Sequence, residues 1–172
     1  LVNLYGSSEN ACDVTSYNVE NSVAAYDNVP VGKPIYNIKA YILNDASVPV
    51  PVSVEGDLFI SGAGLADGYL KDKSLTEKVF VKNPFHNSND YRLMYKTGDR
   101  AYFLSDGNIV LTGRADNQIK IRGFRIEPSE IETIISRFEK VRQCVVIPYY
   151  NQVLETSQLA AYYKPSSPFD ID

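Results

Sequence analysis

Read as a pattern of apolar and polar positions, residues 1–115 are strands and turns. After a turn at Gly32-Lys33-Pro34, Ile38, Ala40 and Ile42 alternate with polar or larger neighbours across residues 35–43, the period-two signature of a strand. Pro49 and Pro51 lack the N–H that a ladder needs, which makes residues 48–54 an edge or loop segment. Residues 57–61 form a short apolar strand. The clearest hairpin covers residues 101–112 and turns at Ser105-Asp106-Gly107-Asn108, where Asp-Gly suits a positive φ. Residues 117–172 differ. Ile119, Ile121 and Ile126 flank a turn at Gly123, and Pro128 opens a helix predicted over residues 128–138. Ser129, Glu130 and Glu132 favour its N-terminal end. Ile131, Ile134, Ile135 and Phe138 fall at i, i+3, i+4 and i+7, one apolar face. Residues 141–148 and 158–164 read as two strands. The pattern predicts an α+β chain in two parts, β-rich residues 1–115 and a small α+β unit over residues 116–172, joined at the polar, glycine-containing stretch 113–117.

Composition narrows the chemistry. The 172 residues are 44% hydrophobic and 22% charged, as in an ordinary globular protein. A net charge of −4 argues against a nucleic-acid partner, which calls for a basic footprint. Phosphate binding then has to come from a few placed groups. No apolar run approaches a membrane span and no signal peptide is visible, so no membrane partner is expected. Cys12 and Cys144 lie far apart without CxxC spacing, which argues against a disulfide framework or zinc site and fits reduced thiols in a cytoplasm. Leu1 opens inside a strand-like stretch and Asp172 follows a Pro/Ser-rich segment, so the chain reads as a piece of a longer one.

Four segments carry candidate chemistry. In Asn3-Leu4-Tyr5-Gly6-Ser7-Ser8-Glu9 a strand-like start meets a hydroxyl-rich turn and a carboxylate. Gly6 lets backbone approach a ligand, Ser7 and Ser8 can donate to phosphate oxygens, and Glu9 can hold Mg²⁺ beside substrate phosphates. Taken alone, the segment reads rather as a polar strand-end turn. Residues 56–64 with Gly68-Tyr69-Leu70 lead from a strand into G-x-G, but the third glycine falls one residue late and no clear helix or parallel βαβ unit follows. A dinucleotide fingerprint is rejected there, and the glycines read as tight turns. In Tyr95-Lys96-Thr97-Gly98-Asp99, a carboxylate at a strand edge could accept both hydroxyls of a ribose diol, or the stretch is a plain turn. Residues 113–127 place Arg114, Lys120, Arg122 and Arg125 within an otherwise acidic chain. A solvated charge face competes with a structured hairpin, which Gly123 and the intervening isoleucines favour.

In this order, the four segments resemble the core motifs of nonribosomal peptide synthetase adenylation domains, relatives of acyl-CoA ligases and firefly luciferase. Residues 3–9 resemble N-x-Y-G-P-T-E, and residues 56–70 resemble G-E-L-x-I-x-G-x-G-x-A-x-G-Y-L. Residues 95–99 resemble Y-[RK]-T-G-D, and residues 113–132 resemble G-R-x-D-x-Q-V-K-I-R-G-x-R-I-E-x-x-E-I-E. The stretch 31–43 is similar to I-G-x-P-I-x-N-x-x-x-Y-I-L. Ser7 stands for the usual Pro, Ser8 for Thr, Leu111 for an aromatic near the nucleotide, and Pro128-Ser129 for Leu-Gly.

The resemblance implies a fold and a chemistry. Residues 1–115 would be the β-rich C-terminal part of the large adenylation core, and residues 116–172 an incomplete lid subdomain. The activity implied is ATP-dependent ligation through an acyl-adenylate, releasing AMP. Glu9 would bind Mg²⁺, Ser7 and Ser8 would lie beside phosphate at the Gly6 turn, and Asn3 and Tyr5 would line the adenine site. Asp99 would hold the ribose hydroxyls, Arg114 would contact the ribose–phosphate side, and Lys120 would approach from the lid. Asp116 would be the hinge and Gly123 would line a thiol channel. Leu4, Cys12 and Asp13 match selectivity-pocket positions. The implied partners are the remainder of the adenylation domain, a peptidyl carrier domain bearing phosphopantetheine, and a condensation domain. The family's phosphate loop, most of its pocket and its C-terminal lysine would lie outside these residues, Lys164 not matching that lysine, so the piece alone is expected to be inactive. An acyl-CoA or aryl acid ligase is the alternative within ligases, although Asn83-Pro84-Phe85 favours the peptide-synthetase branch. An interrupted or non-catalytic adenylation domain is the other alternative.

Overall fold

The structure, a computed structural model, describes residues 1–19, 28–86, 88–121, 124–152 and 156–166. It divides into two units, Leu1–Ala115 and Asp116–Asp172. In the first, strand β5 (Gly56–Gly62) is buried along its whole length. It lies between β4 (Ile38–Leu43) and β7 (Leu93–Phe103) in a five-stranded antiparallel sheet. Leu58 and Ile60 join a cluster with Tyr5, Val14, Val31, Ile42, Ala101 and Ile109, while Phe59 joins Leu43 and Met94 in another. Its middle, Leu58-Phe59-Ile60, is covered on both faces and stands out as an apolar run, while the buried Asp57 and Ser61 on either side of it are paired, Asp57 with Lys96 and Arg100 and Ser61 with the Leu93 carbonyl. Each fully buried Leu or Ile here contributes about 1.5–3 kcal/mol relative to exposure.

The eleven-residue β7 pairs near its start with β6 (Phe80–Lys82) and near its end with β8 (Ile109–Arg114). Gly107 takes φ 85° in the β7–β8 turn, and the Asn108 N–H donates to Asp106 Oδ1 at 2.9 Å. A second sheet orders β1 (Val2–Tyr5), β2 (Thr15–Asn18) and β3 (Lys33–Pro34). It is held to the first through Tyr5 and Val14 in the shared cluster and through a bridge between Gly32 and Ile109.

In the second unit, β9 (Ile119–Ile121) pairs with β10 (Phe124–Ile126), and β11 (Val141–Asn151) with β12 (Thr156–Pro165). Helix α2 (Pro128–Ile135) is tied to β11 by the Val146 N–H, which donates to Glu132 Oε1 at 2.7 Å. The chain is α+β, as its pattern predicts. No helix among the described residues is long and apolar enough to cross a membrane.

Several expectations are corrected. Lys33 and Pro34 are not turn residues but pair with Ser16 and Thr15, and the following strand begins at Ile38, after Asn37 at φ 62°. Residues 1–115 contain a helix, α1 (Lys73–Val79), capped by the Asp72 carboxylate accepting from the Leu75 N–H at 2.9 Å. Its seven residues bury no side chain and carry too little periodicity to be read. This helix does follow the glycine-rich segment, yet the strands around it are antiparallel, so the dinucleotide reading still fails. Residues 95–99 are neither a turn nor a strand edge; they lie inside β7. Helix α2 ends at Ile135 rather than at residue 138, and Ile134 and Phe138 are 57% and 63% exposed, so the predicted apolar face is not buried over its length. The turn at Gly123 lies outside the described residues.

Candidate functional site

Strand β7 alternates faces, which turns Tyr95, Thr97, Asp99 and Ala101 inward together. Asp99 is only 9% exposed. Across the ladder it faces Arg114, whose Nη1 donates to Asp99 Oδ1 at 2.6 Å and whose Nη2 donates to the Thr97 carbonyl at 3.1 Å. The Tyr5 hydroxyl donates to Asp99 Oδ2 at 2.5 Å. Thr97 steadies the same stretch of β7, its hydroxyl accepting from the Asp99 N–H at 3.0 Å and donating to the Leu58 carbonyl at 2.9 Å. Burial, with the Asp99 charge beside it, pushes the Tyr5 hydroxyl far above its ordinary range, so Tyr5 stays a donor. A buried carboxylate is tolerable here because charged and neutral donors hold it from two sides.

Glu9 sits in a short 3₁₀ turn, Ser8–Asn10, directly after β1, and is 7% exposed. The Ser7 carbonyl closes that turn, accepting from the N–H groups of Asn10 at 3.1 Å and Cys12 at 3.0 Å. Gly6 is required by this fold of the chain: a Cβ there would lie 1.4 Å from the Cys12 carbonyl oxygen. The close approach that Gly6 permits is therefore to the protein's own backbone. The Tyr69 hydroxyl donates to Glu9 Oε1 at 2.6 Å, and burial together with the Glu9 carboxylate pushes that hydroxyl upward and keeps it protonated. Asn10 is buried, and neither its amide nitrogen nor its amide oxygen meets a hydrogen-bond partner among the described residues.

The Asn3 amide donates to the Pro30 carbonyl at 2.8 Å. Ser7 is half-buried and Ser8 exposed. Leu4, Cys12 and Asp13 are all exposed, with Cys12 at φ 76° and its thiol free. Leu111 packs against the main core cluster. Asp116 begins the second unit, and its Oδ1 accepts from the Gln118 N–H at 3.2 Å. Gln118 in turn donates to the Glu127 carboxylate. Lys120 lies in β9 opposite Arg125. Gly123 falls outside the described residues.

Two groupings result: Tyr5, Asp99 and Arg114 with Thr97, and Glu9 with Tyr69. Tyr69 and Thr97 are the additions that sequence reading misses. Thr97 lies in the motif over residues 95–99, and its hydroxyl two residues before Asp99 is the signal for it. Tyr69 lies in a stretch read only for its glycines. As a hard oxygen donor Glu9 suits Mg²⁺. Among the described residues no group of three or more His, Cys, Asp or Glu gathers into a metal site.

The profile of the AMP-binding enzyme family matches residues 1–70. The chain is 41% identical to bacitracin synthase 1 of Bacillus licheniformis over 98% of this chain and 3% of that protein. It is 44% identical to malpibaldin synthetase of Mortierella alpina over 86% of this chain and 3% of that protein. The chain thus spans about 3% of the length of these relatives. Among solved structures it is similar to PA1221, an NRPS protein containing adenylation and PCP domains, with TM-score 0.82 and 27% identity over 96% of this chain and 33% of that one. Taken together, the profile match, the identities above 40% and the shared fold mean that the chain belongs to the AMP-binding enzyme family, as a portion of a nonribosomal peptide synthetase adenylation domain.

Proposed function

We propose that these residues form the Mg²⁺-, ribose- and hinge-bearing portion of an adenylation domain that activates an amino acid, or a related carboxylic acid, with ATP. A substrate carboxylate oxygen bonds to the α-phosphorus, and the bond to pyrophosphate breaks. A phosphopantetheine thiol on a carrier domain then bonds to the acyl carbon, and AMP leaves. Asp99 accepts the ribose hydroxyls. A carboxylate has about four acceptor sites, so the bonds from Tyr5 and Arg114 fix its orientation without exhausting it. Asn3 and Tyr5 border the base, Gly6, Ser7 and Ser8 lie beside the phosphates, and Arg114 and Lys120 lend positive charge. Glu9 holds Mg²⁺, which when bound offsets the charge of the departing pyrophosphate. Asp116 absorbs the backbone rotation between the two steps, and Gly123 lines the thiol's path. Leu4, Cys12 and Asp13 supply part of the side-chain pocket, and the remainder of the adenylation domain supplies the rest. A condensation domain uses the thioester.

The reading rests on the 2.5 Å hydrogen bond from Tyr5 to Asp99, which ties the first segment to the third across 94 residues of sequence. In the full-length adenylation domain, Asp99→Asn should raise the KM for ATP about 10- to 100-fold in amino-acid-dependent ATP–pyrophosphate exchange, the worth of one charged hydrogen bond. The KM for the amino acid should stay unchanged. An unaltered KM for ATP rules this reading out. Residues 1–172 alone, one-third of the length of the adenylation–carrier protein they match, should catalyse no exchange, and robust exchange by them would refute that part.

A further inference from the structure

Tyr69 has no part in the roles above, yet its hydroxyl meets Glu9 Oε1 at 2.6 Å. Its backbone is pinned. Gly68, at φ 143°, lies so close to the helix that a Cβ there would come within 2.3 Å of Thr76 Cγ2. The Tyr69 N–H donates to Thr76 Oγ1 at 2.8 Å, and that hydroxyl donates to the Asp72 carbonyl at 2.7 Å, just before α1. The ring is pinned as well, edge-on to the buried Phe80 at 5.7 Å, with Phe80 against Tyr95 at 5.3 Å. With backbone and ring both fixed, the hydroxyl is held within reach of two side chains, Tyr95 and Glu9, and it donates to Glu9. The ring packing alone would be served equally by phenylalanine; only the hydroxyl reaches the carboxylate.

We infer that Tyr69 is a positioning residue for Glu9, setting the rotamer in which its carboxylate meets a hard divalent cation carried by a nucleotide. A glutamate side chain has several rotatable bonds, and a donor on one oxygen removes most of that freedom before the cation arrives. Partners of this kind, one bond removed from a ligating group, typically tune metal affinity 10- to 100-fold. The inference rests on the proposed role of Glu9 in holding Mg²⁺.

The test is calorimetric titration of the full-length adenylation domain with ATP, first in EDTA and then over a series of Mg²⁺ concentrations. Tyr69→Phe should raise the Mg²⁺ concentration that half-enhances ATP binding by about 10-fold, leaving metal-free ATP affinity unchanged. Glu9→Gln should lose the enhancement altogether. If Glu9→Gln loses it while Tyr69→Phe matches the parent, Tyr69 has no such role and Glu9 keeps its own. If Glu9→Gln keeps the enhancement, the role of Glu9 fails and the inference falls with it. Metal-free affinity weakened in the same proportion as the Mg²⁺ response also overturns the inference, because a general structural defect acts that way. Thr76→Val, which frees the Tyr69 backbone but keeps its hydroxyl, should shift the Mg²⁺ response in the same direction by less. It decides the matter if Tyr69→Phe does not fold, an unshifted response counting against the inference.

Discussion

In Leu1–Ala115 the sheet has a central strand buried on both faces and buries charged and polar side chains beside it; in the unit from Asp116 onward the long β11–β12 pair leaves Val145, Ile147, Tyr149, Tyr150, Tyr162 and Tyr163 between 42% and 62% exposed. Among the described residues, every buried polar or charged residue except Gln118 belongs to the first unit. The difference has a physical root. A carboxylate can be held at less than 10% exposure only where neighbouring donors replace water, and donors stay in place only when a packed core fixes them. The first unit meets that condition at Asp99 and Glu9. The second offers, among the described residues, two two-stranded pairs and one short helix, with less buried apolar surface to fix a donor.

The comparison can be broken most sharply at Gly6. In the full-length protein, Gly6→Ala should cost about 3 kcal/mol or more, because the Cys12 carbonyl cannot yield without moving the turn that carries Glu9. Urea unfolding measures it, and a loss near zero would mean that the turn is soft. Next, native-state hydrogen exchange should give β5 and β7 opening free energies about 2 kcal/mol or more above those of β11 and β12. Equal protection would erase the contrast between the units.

A smaller effect is expected at Asp57, where burial opposes the charge but Lys96 at 2.7 Å and Arg100 at 3.2 Å outweigh it and hold the carboxyl below its ordinary 3.8. A depressed folded pKa adds stability above the unfolded value, and that stability is lost as pH falls through the folded one. Asp57→Asn should therefore cost about 1 kcal/mol at neutral pH, the pairs being partly exposed. The gap from the parent should close as pH falls below 3.8. Denaturation midpoints against pH check this, and a gap that widens in acid would contradict it. Smallest of all, Tyr150→Ser and Tyr162→Ser should each change stability by less than about 0.5 kcal/mol, as exposed positions do. A larger loss on urea unfolding would show those rings to be packed in solution.

What could be read in advance follows the range of the interactions. The apolar run of β5 and the Asp106-Gly107 turn are local, and both are where the pattern puts them. The motif resemblance named Glu9, Asp99 and Arg114 as chemistry, but not what holds them. Tyr69 reaches Glu9 across 60 residues and Tyr5 reaches Asp99 across 94, and no local period encodes such pairings. Helix α1 escaped because seven residues that bury nothing leave no stripe. Residues 95–99 were open to a turn reading because Thr-Gly-Asp has turn composition; pairing with β5 and β8 on either side overrides it.

The alternation within β7 also determines where this protein can tolerate a change of length. Tyr95, Thr97, Asp99 and Ala101 share the inward face, with Lys96 and Arg100 on the other. One residue inserted or deleted between positions 96 and 99 would rotate Asp99 away from Tyr5 and bring a glycine or an arginine in its place. One residue added at the exposed 105–106 tip, beyond the last ladder pair at Phe103 and Ile109, leaves that parity untouched. Variation in length among homologous proteins should therefore collect at the hairpin tip and be purged from the strand, even where single substitutions at the same strand positions survive.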